Sequence, residues 1–135
     1  MKLSHIASLV GKILLTLLMV MPILGTLGIF PAPTPDMYGT PEAYQFVNLL
    51  MVSKYVMVMS VVVYLLAIFS LWTKRTALAA LLLLPITLNI VGFHAFLDTG
   101  LLTGGAVMGN VFLLLNLAFL WQQRAQYATL WKRQE

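Results

Sequence analysis

The sequence predicts an all-α integral membrane protein, a single four-helix antiparallel bundle formed by residues 1–135. Its composition is the first reason: 61% of the residues are hydrophobic and only 9% are charged, whereas a soluble globular domain has roughly 25% charged residues. The second reason is four apolar stretches, each near the ~20 residues that cross ~30 Å of hydrocarbon. The stretches cover residues 6–30, 46–71, 77–97 and 105–121, and a tail follows at 122–135.

The distribution of charged residues is the third observation. If the four spans alternate in direction, one side receives a set of basic residues, Lys2, Lys74, Arg75, Arg124, Lys132 and Arg133. The other side receives three acidic residues, Asp36, Glu42 and Asp98. Because cytoplasmic loops carry the excess of Lys and Arg, this pattern predicts a membrane protein with both termini in the cytoplasm. The net charge of +4 is therefore a topology signal, and the expected partner is the lipid bilayer rather than nucleic acid.

The first apolar stretch follows Lys2 and has two interpretations, a cleaved signal peptide or a retained span. We expect a span, because the apolar region is too long for a signal peptide and no small-residue cleavage site follows it. The chain has no cysteine, which excludes thiol redox chemistry by this chain alone. It has no phosphate-binding loop and no nucleophile paired with a base. The sequence therefore favours a protein without catalytic activity of its own.

Polar residues inside the apolar stretches identify a candidate site, because such residues are costly in hydrocarbon and tend to face a bundle interior. Lys54 lies about eight residues, or ~12 Å, below Phe46, and Asn89 reaches the same depth in the third span. Asn110 lies ~8 Å below the start of the fourth span. These depths predict a polar cluster of the lysine and the two asparagines, although a lysine that snorkels to the surface is the alternative. Asn116 is deeper and predicts a hydrogen bond between helices.

A second polar group lies near the outer boundary of the third span. His94 and Asp98 are four residues apart on one helix face, where the carboxylate would orient the imidazole. Because no third nearby ligand is evident, the sequence predicts an oriented pair and no metal site. Thr40-Pro41-Glu42 predicts a helix start, with Thr as the cap and Pro at the first helical position.

Three further residues are expected to shape how the spans pack. Pro85 removes a backbone donor from the third span and leaves local irregularity beneath the polar residues. Gly105 and Gly109 are small residues four apart, a spacing that lets helices approach closely.

The run LLLLPITLNIVGFHAFLD at residues 81–98 carries a family resemblance, together with TPEAYQF, SKYVMV and the tail RAQYATL. Over nearly its whole length the chain resembles the DoxX-like family of small bacterial four-helix membrane proteins. The pattern P-x-x-x-N-I-x-x-F-H-x-F-L-D, from Pro85 to Asp98, is the specific part. Met57 stands where many members have a glutamate, so the resemblance implies no Lys–Glu pair. It implies an accessory role near membrane redox chemistry, because some members look like subunits of systems such as thiosulfate:quinone oxidoreductase.

Two functions remain open from the sequence. The first is a partner subunit or assembly factor whose spans bind another membrane protein or a second copy of the chain. The second is a small-molecule binding or transport protein, in which Lys54, Asn89 and Asn110 receive a quinone headgroup or an anionic solute from the outer leaflet. Quinone is the one cofactor that this second interpretation includes.

Overall fold

The computed structural model describes residues 2–132, and in this part of the chain the apolar stretches form helices. Four helices are long and apolar enough to cross a membrane: α1 Leu3–Thr26, α3 Tyr55–Trp72, α4 Thr76–Phe96 and α5 Gly104–Gln122. The shorter helices are α2 Pro41–Ser53 and α6 Arg124–Tyr127, and 3-10 turns lie at Pro35–Met37 and Ala128–Trp131. Residues 2–132 contain no β-strand, so the all-α prediction is confirmed.

The four long helices form a closed ring, in which α1 and α4 each pack against both α3 and α5. Their shared core consists of large apolar side chains interleaved with small ones, chiefly Leu15, Met19, Tyr64, Ala67, Leu71, Ala79, Leu83, Phe112 and Phe119. Other large apolar side chains of the same helices point outward, for example Leu114 at 66% exposure. An outward apolar surface of this extent is typical of a protein that contacts lipid.

The second predicted span, residues 46–71, is not one helix. It is divided between α2 and α3 at Lys54, whose φ of +59° is left-handed. A straight helix would carry Thr40 about 20 Å beyond the start of α3. Instead, the Thr40 hydroxyl donates to the carbonyl oxygen of Leu97 at the end of α4. The start of α2 therefore lies beside the end of α4, and α2 does not continue the line of α3. We call this end, where α4 stops and α5 begins, the Asp98 end.

A buried hydrogen bond joins α4 to α5 in the middle of the core, as predicted for Asn116. Asn116 and Thr87 are both fully buried, and the Asn116 amide lies 3.2 Å from the Thr87 hydroxyl. In the orientation that satisfies both of its ends, the amide donates to the Ala80 carbonyl oxygen at 3.1 Å and accepts from the Leu84 N–H at 3.2 Å. Asn116 thus supports the turn of α4 that precedes Pro85, where the proline removes a backbone donor. Pro85 itself is exposed, so it does not take the packing position predicted for it.

The two glycines at the start of α5 both face α4. A Cβ atom at Gly109 would lie 2.7 Å from Cγ2 of Ile90, and one at Gly105 would lie 3.4 Å from Cε1 of His94. Real Cβ contacts under 3.0 Å are essentially never seen, so Gly109 is required for the approach of the two helices. Gly105 leaves space beside the histidine ring.

The tail returns to the opposite end of the core. The Tyr127 hydroxyl donates to the carbonyl oxygen of Ala77 at 2.8 Å, which holds α6 against the start of α4. The Arg124 guanidinium lies 4.7 Å from the centre of the Trp121 ring. Burial raises the pKa of the Tyr127 hydroxyl above its ordinary value. Lys74 and Arg75 lie between α3 and α4, and Arg124 begins α6, so these basic residues are at the end away from Asp98.

Candidate functional site

The paired histidine and carboxylate lie at the Asp98 end, just where α4 stops. His94 Nδ1 and Asp98 Oδ2 are 2.9 Å apart, and the two side chains are only 13% and 6% exposed. The contact that the i,i+4 spacing predicts is therefore present. Because a carboxylate only accepts hydrogen bonds, Nδ1 carries the hydrogen in this contact and donates to Asp98.

The loop at residues 31–40 closes over this pair and is held by two hydrogen bonds to the end of α4. The Gly39 N–H donates to Asp98 Oδ1 at 2.8 Å, and the Thr40 hydroxyl donates to the Leu97 carbonyl oxygen. Thr40 Oγ1 also accepts from the Ala43 N–H at 3.1 Å, so it caps α2 and the predicted helix start is confirmed. The Gly39 N–H, aided by His94, holds the pKa of Asp98 below its usual range. The carboxylate is therefore ionised at neutral pH.

Phe93 joins the loop, α2 and α4 through aromatic contacts. Its ring meets Tyr38 of the loop edge-on, with centroids 6.3 Å apart, and stacks on Phe46 of α2 at 5.9 Å. The neighbouring His94 ring is edge-on to Phe93 at 5.0 Å. Burial and, next, the charge of Asp98 raise the pKa of the Tyr38 hydroxyl above its ordinary value. The tyrosine therefore stays neutral and keeps its O–H donor at physiological pH.

A cavity of about 550 Å³ lies between the loop, the end of α4 and the start of α5. Its polar lining comes from the loop and from both helices, and consists of Asp36, Tyr38, His94, Asp98, Thr99 and Thr103. Apolar surface is supplied by Met37, Val47 and Phe93, and open backbone by Gly39, Gly104 and Gly105. Ligand sites in proteins are typically cavities of ~300–1,000 Å³ with apolar walls and a few placed polar groups. The Asp98-end cavity has these properties.

The predicted cluster of Lys54, Asn89 and Asn110 is absent, and that prediction is wrong. Lys54 and Asn89 are exposed. The Asn110 side chain donates to the carbonyl oxygen of Leu101 at 2.7 Å, within the connection between α4 and α5. The predicted depth of Lys54 requires a straight helix, whereas the chain changes direction at this residue. Equal depth also leaves the rotation of each helix undetermined, and α4 turns Asn89 outward.

Several residues of the observed site were not predicted from the sequence. Gly39, Tyr38 and Phe93 belong to it because the loop folds back onto residues nearly 60 positions later. The one local signal is the Thr40 cap, which fixes where the loop ends. Within residues 2–132, no three His, Asp or Glu side chains come together in a way that could hold a metal ion.

Comparison of the chain with protein-family models, with curated proteins and with solved structures found no significant match in any of the three.

Proposed function

We propose that the protein is a multi-pass protein of the bacterial cytoplasmic membrane, of the DoxX-like type, built as an antiparallel four-helix bundle. Short connections support this arrangement, because helices joined by a few residues run in opposite directions as neighbours. Residues 73–75 join α3 to α4, and residues 97–103 join α4 to α5. The observed ring of α1, α3, α4 and α5 agrees with such a bundle.

The orientation that we propose has both termini and the α3–α4 turn in the cytoplasm, with the Asp98 end outside. The positive-inside rule supports it, because Lys74 and Arg75 lie in the α3–α4 turn, whereas Asp36 and Asp98 lie at the other end.

Single cysteines introduced at Asp36 and Lys132 are expected to react with a membrane-impermeant maleimide from opposite faces of the membrane. The chain has no natural cysteine, so each variant reports one position. The measurement compares labelling in intact cells and in inside-out vesicles. Labelling of both positions from the same face would contradict the proposed topology.

We further propose that the protein binds a small molecule in the Asp98-end cavity. The carrying observation is the cavity itself, about 550 Å³ with the His94–Asp98 pair in its wall. The cavity favours the small-molecule interpretation. The site that we propose lies between the loop and the ends of α4 and α5, and no longer includes Lys54, Asn89 and Asn110.

Val47→Trp is expected to fill the cavity and to reduce the amount of any small molecule that co-purifies with the protein. Val47 lines the cavity, whereas Leu49 on the same helix is 65% exposed, so Leu49→Trp is the matched control. The measurement is mass spectrometry of molecules released from protein purified in mild detergent. If the wild type and both variants carry the same amount of small molecule, the cavity is not its binding site.

An accessory role beside a membrane redox enzyme is the second candidate, and the surface of α2 favours it. Leu49 and Val52 are 65% and 72% exposed, and α2 packs mainly against the neighbouring α3 and the 31–40 loop. A photo-crosslinking residue at Leu49 would then capture a partner protein, or a second copy of the chain. The same residue at Leu114, which is 66% exposed on α5, is the control for random collisions. Only lipid adducts at both positions would argue against a partner on α2.

A further inference from the structure

The charge of the Asp98-end cavity indicates what kind of molecule it can hold. Asp36 enters from the 31–40 loop and Asp98 from the end of α4, so carboxylates lie in two different walls. Among the residues that the structure describes, none that lines the cavity is Lys or Arg. The sequence also has no Lys or Arg at residues 13–53 or 76–123, which supply the whole lining. The cavity therefore attracts cations and repels anions.

The N-terminus of α5 makes the cavity less negative. Gly104 and Gly105 are at the N-terminus of α5, and a helix N-terminus carries the equivalent of about half a positive charge. The Thr103 hydroxyl already accepts from the Ala106 N–H, 3.3 Å away. About half a positive charge is less than the two negative charges of the carboxylates, so the field remains favourable to a cation.

The acceptors that face the cavity are numerous enough to bind a group with several N–H donors. An ionised carboxylate has about four lone-pair positions, and Asp98 uses one of its oxygens for Gly39 and the other for His94. His94 donates from Nδ1 to Asp98, and the opposite edge of its ring packs against α5, where Cβ atoms at Gly105 and Gly109 would lie 3.4 Å from Cε1 and 3.8 Å from Cδ2. The carboxylates of Asp98 and Asp36 are therefore the acceptors available to a ligand.

Aromatic and aliphatic groups complete the cavity. The Tyr38 and Phe93 rings, in edge-on contact at 6.3 Å, line the cavity, and aromatic rings are compatible with a bound cation. Met37 and Val47 add aliphatic surface that suits a short carbon chain. The cavity thus presents anionic acceptors beside an aromatic and aliphatic wall.

We propose that the ligand of this cavity is a primary ammonium group on a short carbon chain, held by the carboxylates of Asp98 and Asp36. An ammonium has three N–H donors and no acceptor, which matches the free lone pairs of two carboxylates in an electronegative cavity. The inference rests on the proposed small-molecule function and names its ligand class. The group could belong to a dissolved amine or to the headgroup of an aminophospholipid, because the cavity opens at the end of the apolar helices.

Titration calorimetry of the full chain in phosphatidylcholine nanodiscs tests the ligand class, with n-butylamine hydrochloride as the probe. We expect butylamine to bind and to be favoured at least about tenfold over butanol and butyrate, which have similar size but lack the positive charge. Tetramethylammonium, which keeps the charge without N–H donors, should bind more weakly than butylamine. If butyrate or butanol binds with the same affinity as butylamine, the proposal is overturned.

Asp98→Asn separates charge from shape, because the asparagine Oδ1 can still accept from the Gly39 N–H. It should weaken butylamine binding by about tenfold to a hundredfold, the effect of losing one hydrogen bond to a charged group. Glu42→Gln is the matched control, since Glu42 is an exposed acid at the same end that does not line the cavity. It should change the affinity by less than about twofold. An unchanged affinity in a folded Asp98→Asn protein would overturn the assignment.

The two sources of the ammonium group are distinguished by changing the lipid. If phosphatidylethanolamine in the nanodisc competes with butylamine, the proposal holds with a lipid headgroup as the ligand; without competition it holds with a dissolved amine. Decylubiquinone is titrated in parallel. Binding of the quinone in place of butylamine, blocked by Val47→Trp, would overturn the ammonium ligand while leaving the proposed function intact. If no probe binds and the purified protein carries no small molecule, both the ammonium ligand and the proposed small-molecule function are overturned.

Discussion

Replacing Gly39 with alanine is expected to detach the 31–40 loop from the Asp98 end and to lower the free energy of unfolding by about 1–3 kcal/mol, the usual cost of overpacking. A Cβ at residue 39 would overlap the Thr99 side chain, with Cγ2, Oγ1 and Cβ all within 3.0 Å. The Gly39 N–H would then move away from Asp98. Thermal unfolding in detergent measures the stability, and chymotryptic cleavage at Tyr38 measures release of the loop.

Two further variants test whether overlap with the Thr99 side chain is the cause of the lost stability. Gly39→Ala combined with Thr99→Gly should recover most of the lost stability, because the side chain that blocks the new Cβ is gone. Gly92→Ala should not destabilise the protein, since a Cβ at residue 92 meets nothing within 4 Å and alanine favours helix. If Thr99→Gly does not rescue Gly39→Ala, the close approach of the loop to Thr99 is not what makes the glycine necessary.

Release of the loop also bears on the charge of the site. The Gly39 N–H is the main reason that the pKa of Asp98 is lowered. A carboxyl whose pKa is lower in the folded protein stabilises the fold above its ordinary pKa, and this contribution is lost as the pH falls through the lowered value. The loop is therefore held by this interaction throughout the neutral range. Gly39→Ala should bring the pKa of Asp98 closer to that of an ordinary carboxyl.

The parts of the structure that could be predicted from the sequence depend on neighbours along one helix or on total apolar length. Four long helices follow from four apolar stretches near ~20 residues. The contact of His94 with Asp98 follows from their i,i+4 spacing, and the start of α2 follows from the Thr40 cap. Asn116 was expected to bond across helices because an amide deep in hydrocarbon needs a partner. Each of these inferences needs no knowledge of how the helices are rotated.

The parts that could not be predicted depend on rotation or on contacts between distant segments. Depth placed Lys54 and Asn89 together, but a left-handed residue at Lys54 redirects α2, and lysine carries no local signal for that conformation. Gly39 resembles an ordinary loop glycine until Thr99 is seen beside it. The cavity is formed from the 31–40 loop, Val47 of α2 and residues 93–105, so it exists only once the helices have packed.

The second large effect is expected in the core at Gly109, where α5 packs against α4. Gly109 is buried, and a Cβ there would lie 2.7 Å from Ile90 Cγ2, 3.9 Å from Ile90 Cβ and 3.8 Å from His94 Cδ2. The isoleucine is packed against the core and has little freedom to move away. A branched side chain at residue 109 must therefore push the two helices apart.

Gly109→Val is expected to cost about 1–3 kcal/mol or more of unfolding free energy, because the valine overpacks a buried contact. Gly92→Val is the control, since residue 92 on α4 has open space at its Cβ. Ile90→Ala removes the obstructing methyl group, so the double variant should be more stable than the sum of the two single changes predicts. A coupling of about 0.5–3 kcal/mol in this cycle would be typical of residues in direct contact. Thermal unfolding in detergent provides the four values, and strict additivity would contradict a direct contact between Gly109 and Ile90.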